Sequence, residues 1–129
     1  MANNTILILL PQTSYQNPGN GAPYTVTGDA QPAAAYYLGN KDLQTINYSL
    51  SNCTGNILIE ASLSSDPTSD LDWFQVFSVS ANANASANTD PYINSNAIGY
   101  TNISGNFVFV RAVAEDLASG TVNFVRMSY

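Results

Sequence analysis

The sequence predicts an all-β protein, a single β-sandwich of about eight or nine antiparallel strands with a long N-terminal arm or loop. β-Branched and aromatic residues gather in short runs that end at Gly, Asn or Pro, and no window holds a sustained helical repeat with caps. Apolar and polar residues alternate within several of these runs, the pattern of a strand with one covered face. The chain has 129 residues, the length of one domain with one core.

The first run, Thr5 to Leu10, is a strand. Pro11 to Pro23 contains Pro11, Pro18, Pro23, Gly19 and Gly21, so it reads as a long polar loop, an arm that reaches a neighbour, because proline cannot donate to a ladder. Strand signals resume at Tyr24 to Thr27, Ala33 to Leu38 and Leu43 to Leu50. In Asn56 to Leu63, alternation puts Ile57, Ile59, Ala61 and Leu63 on one face and Leu58, Glu60 and Ser62 on the other. Trp73 to Val79 follows. Residues 80 to 97 are low in complexity and read as a second long loop. Ile98 to Ile103, Phe107 to Val113 and Thr121 to Tyr129 complete the set. Ser104-Gly105-Asn106 and Ala118-Ser119-Gly120 read as hairpin turns, which makes the last three strands a meander. The resulting organisation is one domain over 1–129: residues 1–30 supply a strand plus the extended arm, and 31–129 the core sandwich. Jelly-roll-like and immunoglobulin-like topologies both fit this alternation.

Hydrophobic residues make up 45% of the chain and charged residues 9%, against about 25% in an ordinary soluble domain. The surface is therefore covered by neutral polar groups, which pack against neighbouring subunits without the cost of desolvating ions. A net charge of −6, with only Lys41, Arg111 and Arg126 as cations, leaves no patch to neutralise phosphates, so no nucleic-acid partner is expected. No apolar stretch approaches a membrane span or a signal-peptide core, and no membrane partner is expected. Cys53 is the single cysteine and cannot form an internal disulfide.

The chain has no histidine, which removes Ser-His-Asp and Cys-His catalysis and any His-ligated metal. Glu60 and the Glu115-Asp116 pair carry no signal beyond acidity, so neither an enzyme nor a cofactor is expected. Asp66, Asp70 and Asp72 lie within seven residues and form a lesser candidate for a calcium site. The preferred reading is an Asx turn before Pro67 and a solvated loop tip, since the spacing lacks the glycine and terminal glutamate of an EF-hand. Glu60 and Arg111 each sit mid-strand among apolar neighbours, where an unpaired charge is costly, and are expected to pair with each other or with another polar group. Trp73, opening a strand beside Phe74, is expected in the core. Tyr36, Tyr37, Tyr92 and Tyr100 are the candidates for contact with another protein.

From Leu43 to Tyr129 the chain carries a set of landmarks: Thr54-Gly55-Asn56-Ile57-Leu58-Ile59-Glu60-Ala61-Ser62-Leu63; Asp66-Pro67 followed by Asp72-Trp73-Phe74; Ile103-Ser104-Gly105-Asn106-Phe107-Val108-Phe109-Val110-Arg111-Ala112; and Gly120-Thr121-Val122-Asn123-Phe124-Val125. This pattern resembles a small module in structural proteins of tailed phages, particularly contractile-tailed phages of aquatic hosts. The resemblance covers about two thirds of the chain, since the first 42 residues fall outside it. It implies a virion β-sandwich and no catalytic residues. The expected role is an accessory virion structural protein, a capsid decoration or cement protein or a component of neck or tail. It would adhere to other virion proteins and to copies of itself as a homo-oligomer. The alternative is a glycan- or receptor-binding adhesion module that uses aromatics at a sandwich edge.

Overall fold

A computed structural model describes residues 6–17, 19–20, 22–35, 42–81 and 97–129. Among them one antiparallel sheet contains eight strands: β1 (Ile6–Leu10), β2 (Thr13–Ser14), β3 (Tyr24–Thr27), β4 (Gln31–Pro32), β5 (Leu43–Ser62), β6 (Trp73–Ala81), β7 (Ala97–Ser104) and β8 (Phe109–Ser128). The all-β expectation agrees with this structure.

Two strands of 20 residues, β5 and β8, form the spine. They pair from Thr45 opposite Ser128 to Ser62 opposite Phe109. Along the outer side of β8, β1 to β4 follow one another, from Ile6 opposite Ser128 to Pro32 opposite Phe109. Along the outer side of β5, β6 and then β7 do the same, from Trp73 opposite Ser62 to Ser104 opposite Leu43. The sheet is therefore four chain paths wide.

It is folded once across its middle, and this makes the sandwich. One apolar cluster joins Ile46, Val125 and Met127 from one half to Ile57, Ile59 and Ala112 from the other. Tyr48 and Phe77, from opposite halves, bring their ring centroids to 6.5 Å. Each fully buried Ile, Leu or Val contributes about 1.5–3 kcal/mol, so closing the two halves supplies the main stabilising term. The cluster also takes in Leu9, Leu10 and Leu117, all essentially without solvent contact.

Backbone conformation explains where the fold occurs. Every described residue with positive φ lies in a segment that crosses this middle: Asn17, Gly19 and Asn20 between β2 and β3, Asn52 and Gly55 within β5, and Asp116 and Gly120 within β8. Left-handed residues allow bulges that bend a strand without ending its pairing. The β5–β8 register shifts between Ser49 and Leu50, Ser51 and Thr54, and Thr54 and Asn56.

These bulges correct several expectations. Leu43–Leu50 and all of Asn56–Leu63 but Leu63 itself belong to one β5, and Phe107–Val113 and Thr121–Tyr129 belong largely to one β8. Ala118-Ser119-Gly120 is thus a bend inside a strand, not a hairpin turn. Nor do the last strands form a meander, because β7 pairs with β5. After β7 the chain turns a corner at Gly105, whose N–H donates to the Asp42 carbonyl, and Val108 N–H then donates to the Ser62 carbonyl as the chain enters the other layer.

The Pro11–Pro23 loop carries β2, whose Thr13 and Ser14 pair with Val122 and Thr121, and Tyr15 N–H donates to the Gly120 carbonyl. Instead of Ala33–Leu38, the strand there is Gln31–Pro32, and Ala33 and Ala34 are buried beyond it. Residues 36–38 and 82–96, the latter most of the expected second loop, lie outside the described residues.

Gln44 is fully buried and ties the end of this segment to the sheet. Its Oε1 accepts from Ala34 N–H at 2.9 Å, and its Nε2 donates to the carbonyls of Ile103 at 3.1 Å and Asp42 at 3.0 Å. A buried amide is tolerable because its polar atoms are satisfied.

Candidate interaction surface

Alternation along β1, Leu43–Leu50 of β5, β7 and Thr121–Ser128 of β8 sends one set of side chains into the core and the other outward. Leu7, Ile46, Ile103 and Met127 point in. The opposite set makes the outer face of this first layer: Ile8 stands beside Arg126, Arg126 beside Asn47, and Asn47 beside Tyr100 across four paired strands.

Large apolar groups concentrate on that face. Ile98 is 80% exposed, Tyr100 70%, Ile6 60%, Leu43 53% and Ile8 45%. The four strand segments contain no Asp or Glu and one cation, Arg126. That guanidinium is held down on the sheet: its Nε donates to Asn47 Oδ1 at 3.1 Å and its carbon lies 4.0 Å from the Phe124 ring centroid. Between Ile6, Thr45, Asn47 and Arg126 runs a shallow depression of about 180 Å³. Sites that enclose a drug-sized ligand run to about 300–1,000 Å³, so this face suits a broad contact better than a small molecule.

The outer face of the second layer is different. Glu60 and Arg111 face each other across β5 and β8, and Arg111 Nε donates to Glu60 Oε1 at 2.8 Å. The guanidinium also covers the Trp73 ring, 4.2 Å from its centroid. The two charges expected to need partners do meet. Trp73, expected in the core, is instead half-buried on β6 outside the main apolar cluster, and part of its cover is Arg111. Sequence position beside Phe74 could not reveal this, because the Arg111 side chain arrives from β8.

At the β5–β6 connection, Asp70–Asp72 forms a 3-10 turn. Asp72 Oδ2 accepts from the Thr68 and Ser69 N–H groups at 3.0 Å each, and Ser69 Oγ accepts from Leu71 N–H at 3.2 Å, a reciprocal capping box. The Asp66, Asp70 and Asp72 side chains do not converge, and among the described residues no three metal-ligating side chains do. Asp72 acts here as a cap.

Of the tyrosines expected at an interface, Tyr100 lies on the exposed face, while Tyr36, Tyr37 and Tyr92 lie outside the described residues. Sequence reasoning missed Ile6, Ile8, Leu43 and Ile98. A signal for Ile6 and Ile8 existed: Ile6-Leu7-Ile8-Leu9-Leu10 is apolar at every position, which in a strand means that both faces are meant to be covered. Cys53 is fully buried at the bend, and burial pushes its thiol up from its ordinary value. No family model and no curated protein sequence matches this chain.

Proposed function

We propose that this protein is an accessory structural protein of a phage virion, a capsid decoration or a neck or tail component, which works by adhesion between subunits and carries out no catalytic step. The observation behind this reading is the first-layer face, where, among the described residues, five of the eight exposed large apolar side chains gather on strands without a carboxylate. Large apolar side chains left exposed on one sheet face, at its two edges and around a polar centre of Thr45, Asn47 and Arg126, suit a site that another protein covers. The low overall charge and the resemblance to phage structural modules support the same reading. The test is localisation. In lysates of infected host cells the chain should co-sediment with tailed particles through a density gradient, and gold-labelled antibody should decorate those particles. Recovery from the soluble lysate alone, never with particles, sinks the proposal.

The exposed Tyr100 ring favours a second reading, a glycan-binding adhesion module, since an open aromatic face can stack on a sugar. Glycan-array binding that disappears in Tyr100→Ala would support this reading, and a blank array would remove it.

A further inference from the structure

We infer that the first-layer face is covered by a second copy of this chain, packed sheet on sheet about a two-fold axis. This rests on the adhesive role proposed above and names its surface and its partner.

Charge selects the partner. The chain carries a net charge of −6, so two copies repel wherever their carboxylates approach. On the second layer Glu60 and Glu115 occupy the strands, and Asp66, Asp70 and Asp72 lie along the β5–β6 connection. The first-layer face alone among the two sheet faces offers strands free of Asp and Glu, and its one cation is already bonded to Asn47 and stacked on Phe124. Two copies can approach there without opposing carboxylates.

Area gives the same answer. Three strand segments of eight residues and one of five, about 4.8 Å apart and rising about 3.3 Å per residue, present roughly 460 Å² per copy. A pair then buries roughly 900 Å², at the small end of protein interfaces, which predicts a reversible, concentration-dependent dimer. Face-to-face packing uses one patch on both copies, as a closed two-fold contact requires, and it covers Ile98 and Tyr100 on the edge strand β7.

The experiment is sedimentation equilibrium of the full chain over a hundred-fold range of concentration, with Tyr100→Glu as the face variant and Leu71→Glu as the control. Leu71 is 95% exposed at the β5–β6 connection, so the control adds the same charge far from the face. The expected result is a wild-type dimer, a dimer for Leu71→Glu, and at least ten-fold weaker association for Tyr100→Glu. If Tyr100→Glu fails to fold, Ile6→Glu on the opposite edge takes its place and is expected to weaken association equally. Wild-type association that survives both face substitutions overturns this surface and leaves the adhesive role standing. A wild-type chain that stays monomeric throughout overturns the dimer, and the particle-localisation experiment then decides the adhesive role separately.

Discussion

Gly120 of β8 lies directly against Asn52 of β5 at the fold of the sheet: a Cβ at Gly120 would stand 2.1 Å from the Asn52 carbonyl oxygen. Ser119 Oγ donates to that same oxygen at 3.2 Å. The two long strands can bend together only because one of them has no side chain at this point.

Gly120→Ala should therefore destabilise the protein by at least about 2 kcal/mol, combining left-handed strain at φ 77° with a backbone collision. Gly19→Ala is the reference: its φ is also positive but a Cβ there meets nothing within 4 Å, so only the backbone component, about 1 kcal/mol, should appear. Urea denaturation of the two variants measures the difference. Equal costs would mean that the close approach to Asn52 contributes nothing.

Glu60 and Arg111 pair where each side chain is less than one fifth exposed. Glu60→Gln should cost about 1–2 kcal/mol, because it leaves a half-buried guanidinium without its carboxylate. A double-mutant cycle with Arg111→Met should return a coupling of about 1 kcal/mol. Arg111→Met should also shift the emission of Trp73, the sole tryptophan, since the cation over its ring is removed. An unchanged spectrum would contradict the stacked arrangement.

Cys53 makes stability depend on alkaline pH. Its thiol is raised by burial in the folded chain, while in the unfolded chain it titrates near about 8.5. Above that pH the unfolded state loses its proton first. The Cys53 contribution is therefore complete below the unfolded value and is lost as pH rises toward the folded one. Denaturation midpoints at pH 8 and pH 10 should fall further in the wild type than in Cys53→Ala, and equal falls would contradict the buried thiol.

Asp72 is a cap, so its removal should act without metal. Asp72→Ala should lower stability by about 1 kcal/mol through loss of the bonds to Thr68 and Ser69 N–H. The melting temperature of the wild type should be the same in calcium and in chelator. A calcium-dependent rise that Asp72→Ala abolishes would restore the metal reading of this loop.

The sequence by itself determined the all-β class, the apolar centres of the strands and the need of Glu60 and Arg111 for partners, because alternation and the cost of a buried charge are local facts. It also held the sign of the exposed face in the unbroken apolar run of β1. Only the tertiary structure decided that Ser51–Gly55 and Asp116–Gly120 bend two long strands instead of ending four short ones. Asn, Asp and Gly accept a left-handed backbone equally in a hairpin turn and in a bulge, and the strand paired alongside determines which one forms. The same dependence on a distant partner placed β7 against β5 and brought Arg111 over Trp73. No residue near Trp73 in sequence encodes that contact, since its other half lies 38 positions away on β8 (111 − 73).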